Sequence, residues 1–196
     1  MQIGHRSFGV SLPWILVVIL ATSNGLILYQ NFKLRKALAG EQPLALQTGE
    51  SVPSFAGKTI DGNPIRVDYS GQGPKKLFFY FTPPCRFCAK QFAYWRDILA
   101  HVDTNQFEVI GLVKEAEDVA KLKSYLRQMG CSSDSPVSLE VVLVSNDVLQ
   151  RYKLAPTPAT LIVSNSGIVE KDWIGLWDEA NISAASSAIG VAISSR

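Results

Sequence analysis

Hydrophobic residues are concentrated near the start of this chain, where residues 7–32 contain no charged side chain. A helix that crosses a bilayer needs about 20 predominantly apolar residues, and this stretch supplies them. Trp14 and Tyr29 stand near its ends, where amphipathic aromatic rings favour the membrane interface. The pattern therefore predicts a short tail over residues 1–7 and one transmembrane anchor over residues 8–29.

Two other interpretations of the apolar stretch fit its sequence less well. A cleaved signal peptide has a shorter apolar region that small residues follow directly, whereas the small residues at 37–39 come only after Lys33. A buried core helix would be shorter and would carry a polar face. We therefore expect an uncleaved anchor, a tether over residues 30–48, and a globular domain over residues 49–196.

Within the predicted globular domain, strand patterns and helix patterns alternate. Continuous apolar runs such as residues 77–81 suit central strands that are covered on both faces. Apolar residues at helical spacing over 85–99 and 119–129 indicate amphipathic helices. The predicted strands are 64–67, 77–81, 107–113, 139–144, 159–163 and 168–173. Since βαβ units come first and a hairpin and helix last, we predict an α/β fold with a central mixed β-sheet flanked by helices.

Composition narrows the classes of function. Of the 196 residues, 47% are hydrophobic and only 18% are charged, against about 25% charged in an average protein. The net charge of +2 is small, so we expect no nucleic acid partner. Three cysteines are too few for a disulfide-stapled scaffold, which leaves redox chemistry or metal binding as their use.

The strongest chemical signal is the pair Cys85 and Cys88, which lies between a buried strand and an amphipathic helix. The first turn of a helix has unpaired N–H groups and the positive end of the dipole, so a thiolate there is stabilised. Arg86 adds positive charge beside it. We predict that Cys85 is the attacking thiol. Cys88 shares a helix face with Phe92 and Trp95, and we predict that it is the resolving thiol.

Other uses of the cysteine pair are weaker. Cys131 and His101 could complete a four-ligand zinc site, but zinc sites of this kind usually contain a second close-spaced pair, which this sequence lacks. A purely structural disulfide would close a very short loop and stabilise little. We therefore expect no metal, a free or buried thiol at Cys131, and a surface position for His101.

Three segments resemble the membrane-anchored TlpA-like branch of the thioredoxin superfamily, which overlaps the redoxin group. The matching segments are residues 49–62, 79–88 and 152–162. In that family a cis proline faces the cysteine pair. Pro158 fits the position, and Thr157 is the residue before it. The resemblance implies a thioredoxin-like fold in which Thr157 exposes its backbone, so that a substrate segment can pair with it beside Cys85.

The resemblance also implies a function. Members of the family exchange disulfides with protein substrates, without a cofactor, and more often reduce particular extracytoplasmic disulfides than oxidise them broadly. We therefore expect protein dithiol or disulfide substrates, a membrane or periplasmic redox partner, and a reductase or maturation role. Pro84 and Arg86, which flank Cys85, are expected to support the site. Residues 82–85 (TPPC) also resemble proteins that assist maturation of methylamine dehydrogenase.

Departures from the family pattern keep two alternatives open. Many members carry an acidic or amide residue six positions before the first cysteine, where this chain has Phe79, so the proton route is in question. Peroxiredoxins share the scaffold and use a Thr-x-x-Cys motif, which Thr82 and Cys85 satisfy, but their preceding proline is replaced here by Phe78. The other alternative is a binding module without turnover, because fold alone does not carry function.

Two arguments disagree about which side of the membrane the globular domain lies on. Positive residues near a membrane span tend to stay cytoplasmic, and residues 33–36 carry more positive charge than Arg6 on the other side. The family resemblance instead places the catalytic domain outside, where disulfides persist. Because long domains can cross despite flanking charge, we expect a single-pass protein of the cytoplasmic membrane with an extracytoplasmic, periplasmic domain.

Overall fold

The computed structural model describes residues 12–40, 46–115 and 117–194. These residues divide into two compact units, the first being a single helix, α1 (Leu12–Gly40), and the second the remainder. Within α1, Pro13–Lys33 is long and apolar enough, by length and composition, to cross a membrane, with a mean hydropathy of 1.6. The helix continues beyond the predicted end of the anchor into the predicted tether. The predicted tail, residues 8–11 of the predicted anchor and residues 41–45 of the tether lie outside the described residues.

The second unit is built on one seven-stranded sheet in the order β2-β1-β5-β4-β3-β6-β7. The strands are β1 (Phe55–Thr59), β2 (Pro64–Val67), β3 (Lys75–Tyr80), β4 (Phe107–Lys114), β5 (Glu140–Val144), β6 (Ala159–Val163) and β7 (Val169–Ile174). The helices are α2 (Arg86–His101), α3 (Val119–Gln128), α4 (Asn146–Arg151) and α5 (Glu179–Ile189). Strands β3, β4 and β5 are parallel, and the remaining pairs are antiparallel. The predicted mixed sheet flanked by helices is confirmed.

Two layers of side chains cover the sheet. The connections β3–α2–β4 and β4–α3–β5 step in the same direction along the sheet, so their right-handed crossovers place α2 and α3 on the same face. Helix α5 packs into this layer too, and we call it the α2 face. On the other side, the α4 face, α4 packs with residues from the start of the unit, including Leu46 and Val52.

Aromatic rings hold the α2 face together. Phe79 of β3 stacks on Trp95 of α2, with ring centroids 4.6 Å apart. Phe81 meets Phe92 edge to face at 5.0 Å. Such pairs contribute about 0.5–1.5 kcal/mol beyond the burial of their area. The cysteine helix is therefore fixed to the strand that leads into it.

Buried hydrogen bonds hold the α4 face together. The side chain of Tyr152, just after α4, is 1% exposed. Its hydroxyl donates to the carbonyl of Pro53 at 2.8 Å and shares a second hydrogen bond of 2.7 Å with the hydroxyl of Tyr69. These bonds join α4, the first segment of the unit and the loop after β2.

Candidate active site

Cys85 lies at the junction between the central strand and α2. The chain leaves β3, and the N–H of Cys85 closes a turn onto the carbonyl of Thr82 at 3.2 Å. Cys85 is then the N-cap of α2, and its Sγ accepts a hydrogen bond from the N–H of Cys88 at 3.2 Å. A thiolate in this position satisfies one of the N–H groups that every helix start leaves unpaired.

The two cysteines lie in different environments. Cys85 is partly exposed, whereas Cys88 is fully buried. Burial opposes ionisation of Cys85, but hydrogen bonds from Cys88, Thr157 and Phe87 outweigh it and hold its pKa below that of an ordinary cysteine. Burial, together with the hydrogen bond to Cys85, raises the pKa of Cys88 to about 12. The arrangement favours one reactive thiolate and one protonated thiol.

The loop that leads into β6, the strand that pairs directly with β3, completes the site. The peptide bond between Thr157 and Pro158 is cis, as the family resemblance implies. The Thr157 hydroxyl donates to Cys85 Sγ at 3.7 Å, and the Thr157 carbonyl lies 3.9 Å from the same sulfur. The backbone of Thr157 is therefore adjacent to the thiol that would attack a substrate.

The two residues that flank Cys85 are both exposed. The Arg86 guanidinium lies over the ring of Phe87, with Cζ 4.8 Å from the ring centroid. The hydrogen bonds that lower the pKa of Cys85 come instead from Cys88, Thr157 and Phe87. The supporting roles of Pro84 and Arg86 remain predictions.

The ligands considered for a zinc site lie in other surroundings. Cys131 is fully buried, its Sγ donates to the carbonyl of Met129 at 3.5 Å, and burial raises its pKa to about 11. His101 is exposed at the end of α2, where its ring contacts the carbonyl of Asp97 at 2.9 Å. Across residues 12–40, 46–115 and 117–194, no group of three or more His, Cys, Asp and Glu side chains could hold a metal ion.

The sequence did not predict the hydrogen bond between Thr82 and Thr157, or that Gln91 belongs to the site. The hydroxyls of Thr82 and Thr157 share a hydrogen bond of 3.0 Å. Gln91, one turn after Cys88, is fully buried and accepts a hydrogen bond from the N–H of Trp177 at 3.1 Å. Its position three residues after a buried cysteine on a helix was the available signal.

Comparison with known proteins places the chain in a family. A family model described as the AhpC/TSA family matches residues 48–172. The chain belongs to the AhpC/TSA family. The matched segment contains Cys85, Cys88 and the Thr157–Pro158 loop.

Individual relatives agree with this membership. The thiol-disulfide oxidoreductase ResA of Geobacillus thermodenitrificans is 22% identical over 171 residues, which is 86% of this chain and 88% of that protein. The methylamine utilization protein MauD of Methylobacillus flagellatus is 27% identical over 123 residues, which is 62% of this chain and 55% of that protein.

Among solved structures, the thioredoxin domain of the thiol-disulfide oxidoreductase BVU-2223 from Bacteroides vulgatus is similar. Its TM-score is 0.57 at 18% identity, over 74% of this chain and 99% of that chain. The predicted thioredoxin-like fold is therefore confirmed.

Proposed function

We propose that this thiol–disulfide oxidoreductase acts through Cys85 and Cys88 on disulfides of proteins outside the cytoplasm. The observation that carries the proposal is the placement of Cys85 Sγ. It caps α2, where the Cys88 N–H lies at 3.2 Å, and it lies within 4 Å of both the hydroxyl and the carbonyl of Thr157. A thiolate, a second thiol one helical turn away and a backbone platform are the groups that disulfide exchange requires.

In the reducing direction, exchange takes two displacements. The Cys85 thiolate attacks one sulfur of the substrate disulfide, and the other sulfur leaves as a thiolate that takes a proton from water. Cys88 then loses its proton and attacks Cys85 Sγ, which forms the Cys85–Cys88 disulfide and releases the second substrate thiol. Two electrons have passed to the substrate, so a dithiol partner must reduce the pair again.

The environments of the two thiols support this assignment of roles. Cys85 has the lowered pKa and the exposure that an attacking thiol needs. Cys88 is buried and holds its proton, with a pKa near 12. The Cys88 thiol therefore reacts little with other disulfides until a mixed disulfide forms at Cys85.

Further observations support the reducing direction and a location outside the cytoplasm. The resemblance to TlpA-like proteins favours a reductase, and the apolar segment Pro13–Lys33 supports a membrane anchor. In the extracytoplasmic space disulfides persist and a tethered exchanger has substrates. A redox titration of the purified protein tests the direction, because a potential near that of a strong oxidant, about −120 mV, would contradict it.

The location of the globular domain outside the cytoplasm can be tested separately. A membrane-impermeant thiol reagent applied to intact, reduced cells should label Cys85. Cys85→Ser should abolish the label, since Cys88 and Cys131 are buried. Labelling only after lysis would place the domain in the cytoplasm.

Trapping tests the roles of the two cysteines. Full-length Cys88→Ser should accumulate mixed disulfides with partner proteins, because the resolving thiol is gone. Cys85→Ser should trap few, and Cys131→Ser is the matched control that should behave like the wild type. Single variants of Cys85 and Cys88 that both retain wild-type exchange rates would refute the assignment. Rapid peroxide consumption that survives Cys88→Ser would indicate a peroxidase instead.

A further inference from the structure

The exposed side of α2 carries two positive charges that have no acidic partner among the described residues. Arg86 and Lys90 are four residues apart, so they lie on the same side of α2. The ion pairs among the described residues involve other cations. Arg86 contacts the ring of Phe87, which is itself 44% exposed.

This arrangement does not favour the helix itself. Two like charges at this spacing repel each other, and both lie near the positive end of the helix dipole. The first turn of α2 contains no acidic residue that would offset them. Arg86 is predicted to favour the Cys85 thiolate, and Lys90, one turn further along the helix, is explained by what binds there.

A groove adjoins these charges. Lys90, Ala93, Tyr94 and Leu176 line a cleft of about 400 Å³ on the outer side of α2. Tyr94 is backed by Trp177, with ring centroids 6.2 Å apart. The groove thus brings one cation, Lys90, beside the side chains of Ala93, Tyr94 and Leu176.

The groove is connected to the catalytic centre through the backbone. Leu176 follows Gly175, whose N–H donates to the carbonyl of Pro158 at 2.7 Å. Lys90 is two residues beyond Cys88 on α2. Because a helix rises about 1.5 Å per residue, Lys90 lies only about 7.5 Å along α2 from Cys85. A polypeptide whose disulfide reaches Cys85 therefore needs about two or three further extended residues to reach this groove.

We propose that the groove binds the segment next to the reactive disulfide of the substrate protein, and that this segment is acidic with an apolar side chain. The proposal rests on the proposed disulfide exchange and names the substrate that the site selects. Charge complementarity with Arg86 and Lys90 guides the approach, and the apolar side chain packs between Tyr94 and Leu176.

The acidic residues that begin α5 do not neutralise this surface. Asp178 accepts a hydrogen bond from the N–H of Asn181 at 2.8 Å and so caps its own helix. Glu179 is exposed in the first turn of α5. Within the described parts of the chain, neither forms an ion pair with Lys90 or Arg86.

The test compares two disulfide-linked peptides of equal length, each with one phenylalanine and with either three glutamates or three lysines beside the cysteine. With dithiothreitol as the dithiol that reduces the protein again after each turnover, the full-length protein in detergent should reduce the acidic peptide with a kcat/KM about tenfold higher at low salt, and the preference should shrink as salt rises. Lys90→Gln should lower the ratio of the two kcat/KM values about threefold, as expected for one exposed charge. Lys171→Gln, which removes an exposed lysine from β7, should leave the ratio unchanged.

Three other outcomes would contradict the groove proposal or the proposed function. Equal rates for the two peptides would refute charge selection by the groove. A Lys90→Gln variant that slows both peptides equally would show that Lys90 acts only on the Cys85 thiolate, and the groove proposal would fall. Failure of the wild type to reduce either peptide or the small neutral hydroxyethyl disulfide would instead refute the proposed function itself.

Discussion

The two faces of the sheet treat their buried polar groups differently. On the α4 face, the Tyr152 hydroxyl donates a hydrogen bond to the carbonyl of Pro53 and shares another with the hydroxyl of Tyr69. On the α2 face, three buried polar atoms have no hydrogen-bond partner among the described residues. They are Gln91 Nε2, Tyr125 Oη and Trp177 Nε1.

This difference between the two faces matches a difference in what they do: the α4 face stabilises the fold, and the α2 face contains the cysteines. A buried polar atom without a partner costs about 1–3 kcal/mol, and all three lie in the layer that contains the cysteines. The pKa of Tyr125 is raised by burial and then by the charges of Cys88 and Cys85, so its phenol is within electrostatic reach of both sulfurs. Among the described residues, the α4 face leaves no buried side-chain N or O atom without a partner and stabilises the fold, whereas on the α2 face the Tyr125 hydroxyl lies near groups whose charge changes during exchange.

The largest expected effect is on thiol reactivity, within the α2 face. At pH 7 a thiol with a pKa of about 12 is ionised to only about one part in 10⁵. The pKa of Cys85, in contrast, is below that of an ordinary cysteine. Iodoacetamide at neutral pH should therefore modify Cys85 orders of magnitude faster than Cys88 or Cys131, as followed by mass spectrometry. Denaturant should equalise the three rates, and equal rates in the folded protein would contradict the assigned environments.

A moderate effect is expected on the α4 face. Tyr152→Phe removes the donor to Pro53 and leaves the Tyr69 hydroxyl without its partner. We expect a loss of about 1–3 kcal/mol in the free energy of unfolding, measured by urea unfolding of a chain that begins at Leu46. Disulfide exchange at Cys85 should be retained. A stability equal to that of the wild type would mean that these hydrogen bonds contribute nothing.

The smallest effect on stability is expected from the same substitution on the α2 face. Tyr125→Phe removes a buried hydroxyl that has no partner, so the free energy of unfolding should stay the same or rise by up to about 1 kcal/mol. The same urea titration measures it beside Tyr152→Phe. A loss as large as that of Tyr152→Phe would erase the contrast between the faces.

Much of the fold could be predicted because local signals agreed with it. Ser145 and Asp178 cap α4 and α5, and residues 164–167 join a hairpin, β6 to β7. Strand β1 was missed, although it pairs antiparallel with β2, the next strand along the chain. Gly57 allows its close approach to β5, since a Cβ there would lie 2.5 Å from Val142 Cγ1, and no local pattern records that contact.

Some features of the site, too, could be recognised from the sequence, and others required the folded structure. The spacing of Cys85 and Cys88 and their place before a helix could be recognised from the sequence, and the resemblance supplied Thr157 and Pro158. The hydrogen bond between Thr82 and Thr157 joins residues 75 positions apart, so only the assembled sheet reveals it. The burial of Gln91 likewise depends on a backbone N–H contributed by Trp177.

The hydrogen bond from Trp95 Nε1 to Thr160 Oγ1, 3.0 Å long and fully buried, ties the helix that carries the thiols to the strand that follows the Thr157 loop. Together with the stacking of Trp95 on Phe79, it joins the two halves of the site through buried contacts. The separation between the Cys85 sulfur and the Thr157 carbonyl is therefore set when the chain folds. Since nothing in this frame has to become ordered at each encounter, an arriving disulfide gives up only its own freedom of movement.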